Sequence, residues 1–358
     1  MSRSRRILSL LAGAIVVAGC AGAPQAAPAI SDAADDGSAV PAISFRLADD
    51  WLQNGIRIGA SVSGGPVITM LTDTGSNGVV ISRSYLGEDY TVPDPQQSFT
   101  GFTYSSSGNS YDGEWVLATL EFSSTVDSAG PTARTSQILV RAVDRMCNRQ
   151  QQCTDDPEVA MLGVGFDREQ DGTEAVESQA GPGINPFLHL EQMDAGTLDA
   201  GYSIGSGLLT LGVDDTSRSG FATVPLTQAG DDWRAPTTCI AVAGSVPPQC
   251  GTLLLDTGLP YAIVQTEDGV QPPLDGTSSI GRDEVAKGQQ ISVTVPDLDD
   301  TTIYDFTVGG PGAPTEVSWG HDLLARDGGA FMNISRFALS ATDYLFDATT
   351  GVVGFRVL

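Results

Sequence analysis

Residues 67–80 read VITMLTDTGSNGVV, and residues 251–260 read GTLLLDTGLP. In both stretches an Asp-Thr-Gly triplet follows a largely apolar run, and the two aspartates, Asp73 and Asp256, lie 183 positions apart. A single Asp-x-Gly triplet is well explained by a hairpin turn. Two triplets in the same context, separated by the length of a domain, indicate two related halves of one chain.

Two facing carboxyl groups that share a proton can both activate a water molecule and protonate an amide, which one carboxylate alone cannot do. The glycine of each triplet permits turn conformations that a Cβ atom forbids, and the threonine hydroxyl can hydrogen-bond to the opposite loop. We therefore predict an aspartic peptidase with Asp73 and Asp256 as its catalytic pair. The residues predicted to support this pair are Thr74, Gly75, Ser76, Thr257 and Gly258.

Residues 1–20 resemble a bacterial lipoprotein signal peptide. Three arginines precede an apolar stretch at residues 7–18, which is too short to be a lasting membrane span. The segment ends in Val-Ala-Gly-Cys, and this pattern implies that Cys20 is acylated, with palmitate as one acyl chain, and becomes the mature N-terminus. The alternative is an ordinary secretory signal with a chance cysteine. Both interpretations predict export, and the first predicts a membrane anchor on the extracytoplasmic side, in the periplasm or at the cell surface.

The remaining cysteines form an even set, which suits an oxidising compartment. They are Cys147, Cys153, Cys239 and Cys250. Four cysteines allow three pairings, and the short separations favour two local disulfides, Cys147–Cys153 and Cys239–Cys250. A metal site is the competing interpretation, but the two histidines, His189 and His321, do not lie at a ligand spacing from a cysteine pair. We predict no metal and no cofactor.

The charge of the chain excludes one class of partner. The formal net charge is −26, and Lys287 is the only lysine. Such a surface repels phosphate backbones, so we predict no nucleic-acid partner. Charged residues make up 17% of the chain and hydrophobic residues 41%, which is typical of a globular protein with an acidic surface rather than of a disordered tail.

The pattern along the chain predicts an all-β protein in two lobes. Residues 21–41 are rich in Ala, Pro, Asp and Gly without periodicity, which indicates a flexible tether. Beyond them, short alternating apolar runs are separated by turn residues, and residues 185–193 are the best helix candidate. About 315 residues are too many for one core, so we predict an N-terminal lobe at 42–228 and a C-terminal lobe at 229–358, each with one Asp-Thr-Gly loop.

From about residue 45 onwards the chain resembles the pepsin-like family of two-lobed aspartic proteases. The stretches that carry the resemblance, in addition to the second triplet, are residues 72–80, which contain the first triplet, 160–165, 185–188, 202–214 and 344–355. The resemblance implies a monomer with an active cleft between the lobes. It also implies a hairpin flap whose tyrosine closes on the substrate. Residues 102–108 fit that flap, with Tyr104 as the flap tyrosine and Tyr111 as the alternative.

The second half departs from the family pattern at two positions. The residue after each triplet is usually Ser or Thr, whose hydroxyl hydrogen-bonds the catalytic carboxylate. Ser76 fits this pattern but Leu259 does not, so Asp256 is expected to lose one donor and to be the protonated member of the pair. In addition, Asn333 stands where the supporting strand is expected to end in glycine.

These observations leave three functional hypotheses. The first is a membrane-anchored aspartic endopeptidase that cleaves a peptide or protein bound between the lobes, with a lipid membrane holding acylated Cys20. The second is a catalytically weak or inactive lipoprotein that binds peptides in the same cleft, which the changes at Leu259 and Asn333 would favour. The third is a structural surface antigen. Residues 21–50 contain one arginine and no lysine, so we predict no basic prosegment.

Overall fold

The computed structural model describes residues 40–104, 107–127, 129–168, 181–266, 270–320 and 330–358. These residues form β-strands joined by turns and a few short helices, and the predicted all-β class is confirmed. The strands up to residue 225 are β1 (Ile43–Arg46), β2 (Arg57–Val62), β3 (Ile68–Asp73), β4 (Asn77–Ser82), β5 (Ser98–Thr103), β6 (Ser110–Ala118), β7 (Leu120–Ser123), β8 (Thr132–Arg134), β9 (Ile138–Cys147), β10 (Cys153–Asp155), β11 (Ala160–Val164), β12 (Asp199–Gly205), β13 (Leu208–Val213) and β14 (Ala222–Pro225).

The later strands show the alternation that the sequence predicts. In the strand at residues 290–295, Ile291, Val293 and Val295 are buried, while the residues between them are partly exposed. The later strands are β15 (Thr227–Ala229), β16 (Asp232–Arg234), β17 (Thr237–Val242), β18 (Val246–Leu254), β19 (Ala262–Gln265), β20 (Leu274–Thr277), β21 (Asp283–Val285), β22 (Gln290–Val295), β23 (Thr301–Thr307), β24 (Val317–Gly320), β25 (Ala330–Asn333), β26 (Thr342–Asp347) and β27 (Val352–Val357).

The helices of the described chain are short. They are α1 (Trp51–Asn54), α2 (Glu191–Asp194) and α3 (Asp215–Arg218), together with 3-10 turns at Arg83–Tyr85, Pro182–Ile184, Pro296–Leu298 and Arg336–Ser340. The helix predicted at residues 185–193 is wrong, since only its end falls in α2. Asn185 uses its side chain to accept a hydrogen bond from the Phe187 N–H at 3.0 Å and to donate to the Val164 carbonyl at 2.8 Å. Such local bonds compete with helix formation.

Two large sheets carry the Asp-Thr-Gly loops. Within the described residues, the ten-stranded sheet has the order β5-β6-β9-β4-β11-β3-β2-β7-β8 with β10 paired to β9, and the nine-stranded sheet has the order β20-β21-β24-β19-β25-β18-β17-β22-β23. In each sheet the strand before the triplet pairs in parallel with a supporting strand, β11 or β25. That supporting strand also pairs antiparallel with the strand after the triplet, β4 or β19. Both triplets therefore lie at the end of a central strand.

A third sheet combines strands from distant parts of the chain. Its order is β1-β13-β12-β26-β27-β14, so the terminal hairpin β26–β27 pairs with strands that precede residue 228. The hairpin of β15 and β16 follows β14 directly. The two ends of the described chain are thus held in one sheet.

Both predicted disulfides are confirmed. Cys147 pairs with Cys153 across β9 and β10, and Cys239 pairs with Cys250 across β17 and β18. Each bond joins directly opposite residues of neighbouring antiparallel strands. The local pairing that the sequence separations favoured is therefore the one that the strand register permits.

Candidate active site

The structure brings the two triplets together. Asp73 is the last residue of β3, and Asp256 lies two residues beyond the end of β18. Their residues are 7% and 5% exposed, and the two side chains are linked by a hydrogen bond and by their charges. The two carboxyl groups therefore interact directly, as the prediction of a pair that shares one proton requires.

The threonines of the triplets brace the two loops against each other. The Thr74 N–H donates to Thr257 Oγ1 at 3.0 Å, and the Thr257 N–H donates to Thr74 Oγ1 at 3.0 Å. Each hydroxyl also donates to a backbone carbonyl that precedes the opposite triplet, Thr257 to Thr72 at 2.7 Å and Thr74 to Leu255. This reciprocal set holds the loops at a fixed separation.

The Thr74→Val variant tests this brace. The change preserves side-chain volume but leaves the Thr257 N–H and the Leu255 carbonyl, both buried, without the Thr74 hydroxyl. Since an unsatisfied buried group costs about 1–3 kcal/mol, we expect the free energy of unfolding to fall by about 2 kcal/mol or more. Urea denaturation measures the change, with Thr223→Val on the exposed face of β14 as the matched control. Equal stability of the two variants would contradict the brace.

The triplet glycines are required by the closeness of the carboxyl groups. A Cβ atom on Gly258 would lie 2.5 Å from Asp73 Oδ1, and a Cβ atom on Gly75 would overlap the Asp256 carboxyl group. Each glycine N–H also donates to the aspartate of its own loop, at 2.8 Å for Gly75 and 2.9 Å for Gly258. Glycine therefore gives each carboxyl group one donor and leaves room for the other carboxyl group.

Each aspartate has a side-chain donor, but the two donors differ. Ser76 Oγ donates to Asp73 Oδ2 at 2.6 Å. The predicted loss of a donor at Asp256 is wrong, because Asn333 Nδ2 donates to Asp256 Oδ2 at 2.6 Å. From the sequence alone, Asn333 is a departure from the glycine expected at the end of the supporting strand. The available signal was an amide side chain at the end of the otherwise apolar strand β25.

The environment of Asp256 favours its protonated form. Burial raises the pKa of Asp256 well above its usual range, and the charge of Asp73 raises this pKa further. The hydrogen bonds from Asn333 and Gly258 act in the opposite direction. Burial beside Asp73 therefore favours the protonated form of Asp256, and this cause differs from the missing donor that the sequence suggested.

The candidate flap is formed by β5 and β6, with Tyr104 directly after β5. The Tyr104 hydroxyl is buried, and its interactions include the charge of Asp73 and the neighbouring Ser76. Burial raises the pKa of Tyr104, which keeps the hydroxyl protonated. Tyr111 belongs to a small buried apolar cluster with Val143, against which the Tyr104 ring also packs, but no interaction of Tyr111 with Asp73 is seen among the described residues. The geometry therefore favours Tyr104 over Tyr111 as the tyrosine that faces the aspartates.

A buried arginine packs against the flap strands β5 and β6, and the local sequence does not single it out. The Arg141 guanidinium stacks between two aromatic rings, 4.2 Å from the centroid of Phe102 and 4.4 Å from that of Trp115. It also donates to the Asn77 carbonyl at 3.2 Å, next to the first loop. Burial lowers the pKa of Arg141 to about 10, so the side chain stays charged wherever carboxyl groups titrate.

Other predicted sites lie away from the aspartates or outside the described residues. Residues 1–39, with the predicted signal peptide and Cys20, are outside them, and so is His321. His189 contacts the Asp194 carboxylate and the Pro182 carbonyl, each at 3.1 Å. Within the described residues there is no cluster of His, Cys, Asp or Glu suited to a metal ion, and no helix has the length and hydropathy needed to cross a membrane.

Comparison with known proteins identifies the fold. A scan of the sequence against protein-family models and a search of curated proteins both find no match. The structure, in contrast, is similar to that of the aspartic proteinase from Irpex lacteus, with a TM-score of 0.56, 14% identity, and coverage of 88% of this chain and 97% of that chain. The fold is pepsin-like.

Two 7S globulins share this fold. The basic 7S globulin from soybean matches with a TM-score of 0.54 and 12% identity over 88% of this chain and 96% of that chain. Conglutin gamma, a basic 7S globulin from lupine seeds, matches with a TM-score of 0.54 and 14% identity over 88% of this chain and 94% of that chain. Because neighbours named as a proteinase and as globulins share the pepsin-like fold, function has to be argued from the site.

Proposed function

We propose that the protein is an aspartic endopeptidase that hydrolyses peptide bonds through Asp73 and Asp256. The observation that carries this proposal is the pair of coupled carboxyl groups, each with its own backbone donor and its own side-chain donor. Two buried acids that repel each other are costly to maintain. A site that only bound peptides would be more stable with a non-ionisable residue in place of one of the two aspartates.

The chemistry follows from the unequal protonation of the pair. Ionised Asp73 removes a proton from a water molecule while the water oxygen bonds to the substrate carbonyl carbon. Protonated Asp256 donates a hydrogen bond to the oxygen on which negative charge develops. The carbon–nitrogen bond then breaks as the leaving amine takes up a proton from the pair. No covalent bond to the protein forms at any step.

Substrate binding involves the space between the flap and the aspartates. Tyr104 of the flap interacts with Asp73 and Ser76, so a peptide over the aspartates would pass beneath the hairpin. Closing the hairpin excludes water from the charged pair and strengthens its interactions with the substrate. A peptide or protein chain in extended conformation is the substrate class that fits this arrangement.

We infer the cellular location from the sequence. Residues 1–20 have the pattern of a lipoprotein signal, and acylation of Cys20 would attach the domain to the outer face of a bacterial membrane through the segment at 21–41. The protein would then act as a monomer on the extracytoplasmic side. Mass spectrometry of the mature N-terminus tests this, since an unmodified N-terminus elsewhere than Cys20 contradicts the anchor.

A binding protein is the second candidate function. It is favoured by the two globulin neighbours, which have the same fold and whose names do not describe a protease. In that case the cleft would hold a peptide without cleaving it. The two candidates differ in a single measurable property, the appearance of new peptide termini.

Incubation with a denatured protein substrate tests the proposal directly. We expect cleavage at about pH 3 to 6, where one of two coupled carboxyl groups is ionised. Pepstatin, a peptide analogue of the tetrahedral intermediate, is expected to abolish it. Absence of new termini over that range, with pepstatin still bound, would favour the binding protein. Absence of both would contradict a functional pair.

The raised pKa of Asp256 also predicts how stability depends on pH. The folded protein holds this proton more tightly than the unfolded chain, so the stabilisation is present below the ordinary aspartate pKa and is lost as the pH rises through the raised value. Asp256→Asn removes the titrating group. The difference in unfolding free energy between the wild-type and variant proteins should therefore change over that pH window, as measured by urea denaturation. A constant difference would contradict the raised pKa.

A further inference from the structure

We propose that Asn333 is the positioning residue of Asp256 and that it replaces, from the supporting strand, the hydroxyl that Ser76 provides to Asp73 from the loop. Leu259, in turn, takes the apolar place that Met161 has in the first half. Each half would then have one polar donor and one apolar residue at the loop and strand positions, with the two exchanged between the halves. This inference rests on the proposed function of the two aspartates.

The strand register makes Asn333 and Met161 equivalent. Met161 pairs with the residue two positions before Asp73 and with the residue seven positions after it. Asn333 has the same two pairings around Asp256. The sequence-based interpretation, in which Asn333 stands at the expected glycine, is therefore wrong. Two positions further on, Ser335 occupies the place equivalent to Gly163, with a left-handed φ of 57°.

Within these equivalent places the polar and apolar side chains are exchanged. In the first half the loop residue Ser76 donates to Asp73, and Met161 lies behind it with its Sδ atom 3.9 Å from Ser76 Oγ. In the second half the loop residue is Leu259, which has no donor in its side chain, and the strand residue Asn333 donates to the aspartate. Each carboxyl group thus keeps one side-chain donor.

The orientation of the Asn333 amide is determined by its second contact. Asn333 Oδ1 accepts a hydrogen bond from the Ser335 N–H at 3.1 Å, so Nδ2 is the atom that faces Asp256 Oδ2. A flipped amide would place two oxygens against each other and leave a buried N–H without its acceptor. Asn333 is 3% exposed, so its amide is held by these two bonds and has little access to solvent.

The electrostatic setting makes this donor important. The charged groups that face Asp256 are Asp73, from the first loop, and Arg336, from the 3-10 turn after β25. Arg336 is held away by hydrogen bonds to the Leu52 and Gln53 carbonyls at 2.7 and 2.6 Å. Asn333 therefore provides the side-chain hydrogen bond that orients Asp256, and its loss frees the carboxyl group to rotate and raises its affinity for a proton.

An exchange experiment tests the inference. The variant Asn333→Met introduces the side chain that the first half has at this place, and we expect kcat to fall by about 10- to 100-fold, because the Asp256 carboxyl group loses the hydrogen bond that orients it. KM should stay nearly constant, and the alkaline limb of the pH–rate profile should move to higher pH. The double variant Leu259→Ser/Asn333→Met restores a hydroxyl on the loop and should recover most of kcat. Leu259→Ser alone should have little effect.

The outcomes separate a positioning role from a structural one. Unchanged kcat and pH profile in folded Asn333→Met would overturn the inference, as would a double variant that folds but stays as slow as the single variant. If Asn333→Met does not fold, Asn333→Leu, which has nearly the shape of asparagine, takes its place. Failure of wild-type hydrolysis would count against the proposed function alone. The pH dependence of the unfolding free energy would then still report the contact. In Asn333→Met it should extend to higher pH than in the wild-type protein if the inference holds, and it should be the same in both proteins if the inference does not hold.

Discussion

The Asp256→Asn variant is expected to lose peptide hydrolysis by roughly three orders of magnitude, since a positioned acid–base group contributes typically about 10²- to 10⁴-fold. The amide has nearly the same shape as the carboxyl group, so the contacts to Gly258 and the fold around it can persist. It cannot hold or transfer the shared proton, however, and the hydrogen bond to the developing oxyanion loses its acidic character. Initial rates of substrate cleavage at the pH optimum measure this loss.

The matched control for this variant is Asp305→Asn, which also removes one carboxylate. Asp305 is exposed on β23, an edge strand of the nine-stranded sheet that lies three strands away from β18. The control variant should retain full activity. Asp73→Asn should be as inactive as Asp256→Asn, because each carboxyl group acts only with the other. Substantial hydrolysis by either catalytic variant would show that the pair is not the catalytic group.

The Gly75→Ala variant is expected to lower activity by about 100-fold or more, because a misplacement near 1 Å at reacting groups has an effect of that size. The new Cβ atom would overlap the Asp256 carboxyl group, so the two carboxyl groups must separate. The protein should still fold, with reduced stability, since the change adds one methyl group at a half-buried position between two loops. Steady-state kinetics and pepstatin binding measure the effect on the site.

Gly183→Ala provides the control for this substitution. Gly183 is exposed in a 3-10 turn, and a Cβ atom there would meet nothing within 4 Å. It should behave as the wild-type protein does in both assays. If Gly75→Ala also retained full activity, the carboxyl groups would have to be further apart in solution than the structure places them.

The parts of the site that sequence reasoning predicted correctly are those encoded by neighbouring residues. An Asp-Thr-Gly triplet after an apolar strand contains the carboxyl group, the cross-loop hydroxyl and the glycine within three positions. One triplet is therefore enough to predict the contacts made by its own loop. The repeated triplet then indicates the second half. The disulfides were predictable for the same reason, since Cys147 and Cys153 are close in the chain.

The parts that sequence reasoning missed depend on contacts between distant segments. The helix expected at residues 185–193 fails because Asn185 bonds to β11, more than twenty residues earlier in the chain. Arg141 looks like an ordinary charged strand residue until β5 and β6 place Phe102 and Trp115 around it. In both cases the deciding partner lies on another strand, which the local pattern does not reveal.

The amino-acid sequence by itself determined the strand class, the two loops and the identity of the paired acids, because each follows from short-range steric rules and from side-chain chemistry. Only the tertiary structure decided how Asp256 is held. The register of β25 against β18 and β19 is set by hydrogen bonds between residues 66 to 79 positions apart in the chain, and a shift by one residue would turn Asn333 to the other face of the sheet. That long-range register makes an apparent defect in the family pattern the donor to the second aspartate.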